Sequence, residues 1–480
     1  MKKILSLSLA FLSLAFAGLL SAKDSKPNFV FLLVDDLGLG DFGCYGAKFY
    51  ETPHIDKLAA DGMLFTNGYA ACTVCSPSRA AILSGCYPAR LKLTDWITGH
   101  KKPFAKLAVP KWETRIDHKR VLLPEALKEA GYATAFFGKW HLMPIGQPDF
   151  DQHYPTSHGF DINVGGREWG QPKGKGKYFS PFGMPGLDDG KPGDFLTDKL
   201  TDAAVDFLEK KQGDPFLLYF SYYTLHGPVM APPALVKKYT EKAKTFDNAK
   251  NEHLEPRRAG MVEALDNSVG RLVAKLDELG IADNTMIILT GDNGGNYDTT
   301  TAGLKGFKGF SHEGGVREPF VVKWPAKITP KSTCSEMVIG TDFYPTMLEA
   351  AGLPARPDQH RDGVSLLSLL NGKNKLKRDT LYWHYPHYHR TMPYGAIREK
   401  NWKLIEFYEE GDLELYDLAN DPQEKNNLAT KNPKKAQELL AKFKAWKKSV
   451  DAQAMAPNPN YDPNRAKGRA KKPNKKKTTK

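Results

Sequence analysis

Cys75 stands where its side chain could act as a nucleophile. It opens the segment CSPSRAAILSG, in which Pro77 suits the first turn of a helix and Gly85 suits the helix end. Cys75 would therefore face the positive end of the helix dipole, which stabilises a developing anion on its side chain. On local sequence alone, a cysteine that only packs and caps the helix is the alternative, because free cysteines are often small core residues.

Two apolar runs end in oxygen-bearing side chains. NFVFLLV is followed by Asp35 and Asp36, and TMIILTG is followed by Asp292 and Asn293. Ligands of open α/β sheets bind at the carboxyl ends of the strands, so we expect these four side chains to lie together. An oxygen-only set suits a hard divalent cation such as Ca²⁺ or Mg²⁺. For either pair taken alone, an ordinary strand-end turn is the alternative.

Cations and imidazoles follow two further strand-like runs. Lys139 and His141 come after ATAFFG, His226 comes soon after FLLYFS, and Lys308 lies in the glycine-rich stretch before EGGVREP. A set of fixed cations can bind an anionic group and stabilise the charge of a transition state. Each residue alone is more simply explained as a surface lysine or as a hydrogen-bonded turn histidine.

Together these segments resemble the motifs of the type I, formylglycine-dependent sulfatases, which are arylsulfatase-like members of the alkaline phosphatase superfamily. The similar segments are VDDLG, CSPSR, GKWH, LHGP, GDNGG and EGGVREP, in the family's order across roughly residues 27–430. Small departures occur at Ser84, where the family commonly has threonine, and at Cys86, where arginine is common. We interpret Glu313 and Arg317, in the last motif, as a structural ion pair.

The resemblance implies that Cys75 is oxidised to formylglycine by a formylglycine-generating enzyme during maturation. It also implies one bound Ca²⁺, with Mg²⁺ less favoured. The implied metal ligands are Asp35, Asp36, the modified Cys75, Asp292 and Asn293. The implied catalytic residues are Cys75, Arg79, Lys139, His141, His226 and Lys308.

In the implied mechanism, a hydrated formylglycine attacks sulfur and displaces the alcohol. His226, with Lys308, would protonate the leaving oxygen, and His141 would take a proton so that the aldehyde re-forms. Lys139, His226 and Lys308 would also bind the substrate, which we expect to be a sulfated carbohydrate or a small sulfate ester. His387, within the aromatic segment WHYPHYH, is a further candidate substrate-binding residue, and packing between domains is the equal alternative for it.

Two other functions remain open at this stage. One is a phosphoester or phosphonate ester hydrolase of the same superfamily, against which the oxygen-only metal set and the cysteine nucleophile argue, because two-zinc members need additional histidine and aspartate ligands. The other is a non-catalytic protein that binds polyanions. The intact set of catalytic motifs argues against that second function.

The candidate residues need a scaffold that brings strand ends together. Apolar runs alternate with helical segments such as 123–130 and 261–279, which predicts an α/β fold with a large, mostly parallel central sheet sandwiched by helices. The catalytic domain is predicted to span residues 23–373. Residues 374–450 are predicted to form a smaller antiparallel sheet plus a helix that pack on the large domain.

The two ends of the chain differ from the rest. Residues 1–22 have the lysines, apolar run and small residues of a signal peptide, so we expect export to the periplasm or beyond, with no integral membrane segment. The net charge is +13, but nine cations fall in residues 465–480 and two in the leader. The folded part is therefore nearly neutral, and no nucleic-acid partner is expected. Residues 451–480 are predicted to be a disordered basic tail that holds the enzyme near polyanions.

An exported protein with five cysteines can form disulfides, and the odd count leaves one cysteine unpaired. With Cys75 reserved for modification, the others permit three pairings among Cys44, Cys72, Cys86 and Cys334. A redox pair of Cys72 and Cys75 is less favoured, because no thioredoxin-like unit follows it.

Overall fold

The computed structural model describes residues 26–211, 213–373 and 375–466. The predicted signal peptide and the tail beyond residue 466 lie outside the described residues. The strands β1 to β15 are, in chain order, Asn28–Val34, Met63–Tyr69, Leu107–Ala108, Ala133–Gly138, Ile162–Val164, Phe216–Ser221, Thr285–Gly291, Arg317–Lys323, Ser332–Cys334, Val338–Ile339, Thr380–Tyr385, Tyr394–Glu399, Trp402–Phe407, Leu413–Asp417 and Ala456–Pro457.

The α-helices α1 to α12 are Pro53–Ala60, Cys75–Ser84, Pro88–Leu91, Leu123–Lys128, Leu196–Lys210, Pro233–Thr245, Pro256–Glu278, Glu313–Val316, Phe343–Ala350, Leu367–Leu370, Pro433–Ser449 and Pro463–Ala466. Short 3₁₀ helices lie at Leu39–Asp41, Gly43–Tyr45, Phe150–His153, Pro155–His158, Asp298–Thr300 and Gly340–Asp342. None of the helices in the described part of the chain is both long and apolar enough to cross a membrane.

Nine strands form one large sheet, in the order β10-β2-β8-β7-β1-β6-β4-β5, with β9 beside β2. Every neighbouring pair is parallel except β2 with β8 and β7 with β8. The predicted mostly parallel sheet is confirmed, and the strand that contains Phe320 is its antiparallel member. The central strand β1 is buried along its whole length, which explains its continuous apolar sequence.

Side chains of β1 alternate between two hydrophobic cores. Val30 and Leu32 belong to the core that includes residues of α5 and α7. Phe29 and Phe31 belong to the core on the other face, where the Phe31 ring meets the ring of Phe343, at the start of α9, at 4.8 Å. Helices therefore cover both faces of the sheet, as the alternating sequence pattern predicts.

The C-terminal unit is a four-stranded antiparallel sheet, β11-β12-β13-β14, with helix α11 packed against it. A third core joins this unit to the large domain, and it includes Tyr69 and Ile339 from the large sheet together with Phe443 of α11. Trp383 adds a polar link, because its indole N–H donates to the Ala70 carbonyl at 2.9 Å. The predicted sheet, helix and packing on the large domain are confirmed.

The prediction that the chain is disordered from residue 451 onward is wrong for residues 451–466. Strand β15 pairs with β3, and the Asn458 side-chain amide donates to the carbonyls of Pro103 and Ala105 at 2.9 and 2.7 Å. Hydrogen bonds to an existing loop hold this segment, so its scarcity of apolar residues misled the prediction. The basic tail beyond it stays a prediction.

The expected disulfides are also absent. All five cysteines lie in the described part of the chain, and each is a free thiol. Cys86 uses its thiol as a donor to the Gln359 carbonyl at 2.9 Å, which is a packing role.

Candidate active site

Parallel pairing places the two acidic strand ends side by side. Val34, the last residue of β1, is in register with Gly291, the last residue of β7. Asp35 and Asp292 therefore leave the sheet at the same edge, each followed by a second polar residue. All four predicted metal-site side chains from these strand ends, namely Asp35, Asp36, Asp292 and Asn293, are fully buried.

These strand ends contain oxygen atoms that have no hydrogen-bond partner within the protein. Oδ1 of Asp35, Oδ2 of Asp36 and Oδ1 of Asn293 are buried without a hydrogen bond. One oxygen from each of Asp35, Asp36 and Asp292 lies within 4.8 Å of the others. Unpaired buried oxygens are unfavourable, and a divalent cation among them would satisfy their lone pairs. The residues present therefore fit the cation that the sequence predicts.

Each of the three positively charged side chains predicted for the site contacts one of the three carboxylates. The Lys139 Nζ lies 2.5 Å from Asp35, and the Lys308 Nζ lies 2.5 Å from Asp36. Arg79 Nε lies 2.8 Å from Asp292. Three cations against three carboxylates leave the site near electrical balance, so one divalent cation would make it a net attractor for an anionic ester.

The charges shift the titration of these groups in opposite directions. Burial raises the pKa of Asp35, and Lys139 offsets only part of that rise. Burial acts the same way on Asp36, but the Lys308 ammonium holds the pKa of Asp36 well below its usual value. Of the two carboxylates, Asp36 is therefore the more firmly ionised. Asp36 in turn raises the pKa of Lys308, although burial of the lysine acts in the opposite direction.

A glycine brings Lys139 to the site. Gly138, the last residue of β4, has φ +94°, and a Cβ there would lie 2.1 Å from the Ser221 carbonyl oxygen. This close approach lets the Lys139 N–H donate to that carbonyl at 2.7 Å. Ser221 also donates from its hydroxyl to the Lys139 carbonyl at 2.7 Å. The backbone at Lys139 is thus fixed at both its N–H and its carbonyl.

Cys75 begins helix α2, as predicted, and Gly85 ends it in the left-handed conformation with φ +65°. The Cys75 Sγ lies 3.3 Å from the Nδ1 of His141. The other ring nitrogen of His141, Nε2, lies 2.5 Å from the Ile97 carbonyl oxygen. A carbonyl only accepts hydrogen bonds, so Nε2 carries a proton and donates it.

This bonding fixes the tautomer of His141. Burial, reinforced by Lys139, lowers the pKa of His141 well below its usual value, so the ring is neutral. With the single proton on Nε2, the lone pair of Nδ1 faces residue 75. His141 can therefore accept a proton from a hydroxyl group at position 75, which is the role that the sequence predicts.

His226 stands at the partly open side of the site. Its Nδ1–H donates to the Gly227 carbonyl at 2.9 Å, and its Nε2 lies 3.9 Å from Asp36. Burial lowers the pKa of His226 to about 3, although Asp36 opposes this shift. Its Nε2 therefore faces the Asp36 carboxylate, which also contacts Lys308.

His387, a further predicted substrate contact, is enclosed by other side chains of the protein. Its ring is 1% exposed, its Nε2 lies 2.8 Å from the Thr94 hydroxyl, and it packs edge-on against Trp112. The packing alternative thus describes its position. His389, two residues later, lies closer to the site, because a Cβ at Gly309, the residue after Lys308, would be 2.2 Å from the His389 Nδ1. Burial lowers the pKa of His389 to about 3, and Lys308 adds to this effect.

Three supporting residues were not predicted. Ser76 donates to the His141 carbonyl at 2.9 Å, and Ser221 holds Lys139 and Arg79. Arg258 donates to the Asp36 carbonyl at 3.2 Å and pairs with Asp41 at 2.6 Å. Ser221 is the last residue of β6, and Asp35 directly follows β1, so a polar residue at a strand end was a usable signal for Ser221 as well. The position of Arg258 in a long helix gave none.

Family models match most of the chain. The model described as Sulfatase matches residues 27–353, and the model described as N-sulphoglucosamine sulphohydrolase, C-terminal, matches residues 306–452. The chain belongs to the sulfatase family. It is therefore a sulfuric ester hydrolase, and the family implies a divalent cation at the carboxylate cluster.

Individual relatives agree with this membership. A sulfatase of Formosa agariphila is 33% identical, over 88% of this chain and 89% of the relative. An N-acetylgalactosamine-6-O-sulfatase of Bacteroides thetaiotaomicron is 28% identical, over 86% of this chain and 92% of that one. Among solved structures, Ps i-CgsB is similar, with a TM-score of 0.73 and 28% sequence identity. The structural match covers 91% of this chain and 95% of the Ps i-CgsB chain. Ps i-CgsB has also been solved in complex with k-i-k-neocarrahexaose.

Proposed function

We propose that this sulfatase removes sulfate from sulfated carbohydrates, with formylglycine formed from Cys75 and with one Ca²⁺. The observation that carries the proposal is the Cys75 Sγ 3.3 Å from a lone-pair nitrogen of His141, beside three cations and a cluster of unpaired oxygens. Two similar proteins, an N-acetylgalactosamine-6-O-sulfatase and one solved in complex with an oligosaccharide, support a sugar as the alcohol part of the ester.

Asp35, Asp36, Asp292 and Asn293, with residue 75, would hold the Ca²⁺. Ca²⁺ accepts six to eight oxygen ligands in flexible geometry, which suits carboxylates that bind through one or both oxygens. The cation would supply a Lewis acid that withdraws charge from a sulfate oxygen.

Residue 75 would be the nucleophile. Formylglycine there supplies a hydrated aldehyde, which can expel sulfate by elimination, whereas a serine ester would need a second water attack. Arg79, one helical turn later and paired with Asp292, keeps the carboxylates in position around it. His141 Nδ1 would take the hydroxyl proton of residue 75, and its Nε2–H bond to Ile97 keeps the ring oriented.

Lys139 and Lys308 would bind the sulfate oxygens. Both ammonium groups are held by carboxylates, so their positions are fixed before substrate arrives. His226 would protonate the leaving alcohol oxygen. A bound sulfate ester brings negative charge beside its free nitrogen, and that charge favours the protonated ring.

The sugar would lie toward the segment that includes His389. In this proposal His389, rather than His387, contacts the sugar, because His387 is enclosed by Thr94 and Trp112. Export through the leader and modification by a formylglycine-generating enzyme complete the proposal, and both rest on the sequence.

The test is a panel of sulfated mono- and oligosaccharides, scored by released sulfate, with phosphate monoesters in parallel. Wild-type protein is expected to release sulfate from at least one sugar, and Cys75→Ala is expected to lower that rate by about 10⁴-fold or more. Cys72→Ala is the matched control, a buried cysteine on the same segment, and should keep activity.

Mass spectrometry of the peptide that contains residue 75 reports the modification independently. Faster release of phosphate than of sulfate would favour the phosphoester alternative. Unchanged sulfate release by Cys75→Ala would defeat the proposed nucleophile.

A further inference from the structure

A second group of metal-ligating side chains lies outside the active site. His118, His153 and His158 each offer a ring nitrogen, and the three atoms lie within 4.8 Å of one another. The His118 ring stacks on both others, with ring centroids 4.6 Å from His153 and 4.5 Å from His158. The sulfatase mechanism uses none of these residues. We call them the histidine cluster.

Two nitrogens of the histidine cluster are buried and without a partner. His153 is 2% exposed and His158 is 1% exposed. The Nδ1 of His153 and the Nε2 of His158 have no hydrogen bond. A buried polar atom without a hydrogen bond is unfavourable, so two of them beside a third imidazole point to a ligand that is shared by all three.

The tautomer of His153 leaves its free nitrogen ready to bind. Its Nε2 lies 3.3 Å from a carboxylate oxygen of Asp149, which can only accept, so Nε2 carries the proton. The Nδ1 lone pair is then unprotonated and available to a metal. A carboxylate behind a ligating histidine is the usual outer contact of imidazole metal sites, because it orients the ring and raises its basicity.

We propose that the histidine cluster is a binding site for a divalent transition-metal ion such as Zn²⁺, separate from the catalytic cation. Three imidazoles are borderline ligands that suit Zn²⁺ and related ions, whereas Ca²⁺ prefers oxygen. A cavity of about 520 Å³ beside His118 and His153 gives access from solvent and leaves room for a fourth, non-protein ligand.

The charges around this cavity are mixed. Arg90, Lys92, Arg115, Lys119 and Arg120 line it together with the acids Glu113, Asp117 and Asp149. Arg90, Lys92 and Arg115 are each paired with a carboxylate, which reduces the repulsion that a bound cation would meet. The remaining positive charge sets a limit on affinity but does not remove the ligands.

The histidine cluster lies behind the segment that contains Lys139 and His141, so a bound metal would affect the support of the active site. The Trp140 indole N–H donates to the His153 carbonyl at 2.8 Å, and its ring lies 5.8 Å from the His158 ring. Trp140 stands between Lys139 and His141 in the sequence. A metal that joins His118 to the 153–158 segment would therefore stiffen the support behind the catalytic segment.

The test uses the full-length protein in buffer that contains Ca²⁺, so that the catalytic site stays occupied. After equilibration with Zn²⁺ and desalting, wild type is expected to retain one more zinc per chain than His118→Ala. His118 is exposed, so this substitution spares the core. His54→Ala, which removes an exposed histidine outside the cluster, is the matched control and should keep the zinc.

Two further measurements separate this site from the free cysteines. Asp149→Asn should weaken zinc affinity by about 10–100-fold in competition with a chromophoric chelator. Co²⁺ bound in place of Zn²⁺ should give visible bands of nitrogen coordination without a thiolate charge-transfer band. Equal zinc retention by wild type and His118→Ala, or a thiolate band in the cobalt spectrum, would overturn the proposal.

Discussion

Two buried clusters of charged side chains in this molecule differ in how their carboxylate oxygens are satisfied. At the strand-end site, oxygens of Asp35 and Asp36 have no hydrogen-bond partner. At the domain junction, Glu313 accepts from Lys403 at 2.9 Å and from the Tyr69 hydroxyl at 2.7 Å. The junction cluster, defined as Tyr69, Glu313, Lys403 and Glu424, ties the small sheet to the large domain.

This difference distinguishes carboxylates that can bind a ligand from carboxylates that hold the fold together. Glu313, whose two oxygens both accept hydrogen bonds from the protein, is part of the scaffold, whereas Asp35 and Asp36 each keep one buried oxygen that a ligand could use. The predicted ion pair of Glu313 with Arg317 exists at 3.7 Å, but the closer partner of Glu313 is Lys403, from the C-terminal unit. Substitutions in the two clusters should therefore affect different measurements.

The largest effect is expected at the strand-end site. Asp36→Asn removes a ligand oxygen and the ionic partner of Lys308, so sulfate release should fall by about 10³-fold or more. At a Ca²⁺ concentration 100 times Kd, the wild type should gain about 2.7 kcal/mol of unfolding free energy. Asp36→Asn should lose that gain, as measured by denaturant unfolding with and without Ca²⁺. A full Ca²⁺ gain in the variant would contradict the assigned site.

The junction cluster should give the opposite pattern. Glu313→Gln removes one of the two carboxylates that pair with the buried Lys403 and leaves only Glu424, which should lower the free energy of unfolding by about 2 kcal/mol. The gain from Ca²⁺ should stay at the wild-type size, because the strand-end oxygens are untouched. Glu406→Gln, which breaks a more peripheral pair with Lys447, is the control and should cost no more than about 1 kcal/mol. A lost Ca²⁺ gain in Glu313→Gln would show that the two clusters are coupled.

The smallest effect is a pH dependence at the edge of the same junction. Burial tends to raise the pKa of Glu414, but hydrogen bonds from His312 and Tyr416 lower it to about 2. The stabilisation is therefore present above the unfolded-state pKa near 4.5 and is lost as the pH falls toward 2. Glu414→Gln should be less stable than wild type by about 1 kcal/mol at neutral pH, after screening by solvent, and the difference should shrink as the pH falls. Urea unfolding across that range measures it, and a constant difference would mean that the carboxylate charge plays no part.

Much of the fold was predictable because its signals are local. The buried run before Asp35 and the glycine-ended helix after Cys75 are properties of short segments, and both are found where they were expected. The segment around Asn458 was not predictable, because hydrogen bonds from the Asn458 side-chain amide to carbonyls of a distant loop, rather than apolar side chains, hold it. The burial of His387 likewise depends on Thr94, which is far away in the sequence.

The sequence alone determined the chemistry that is available: a cysteine at a helix start, carboxylates after buried strands, and the cations that follow other strands. The motifs and their order in the chain were enough to identify the family, because each motif is a short segment that contains the site residues themselves. Only the tertiary structure decided which oxygens lack a hydrogen bond, which nitrogen of His141 faces Cys75, and that His118 lies beside His153 and His158. These properties depend on contacts between segments that are remote in the chain, and no local pattern records such contacts.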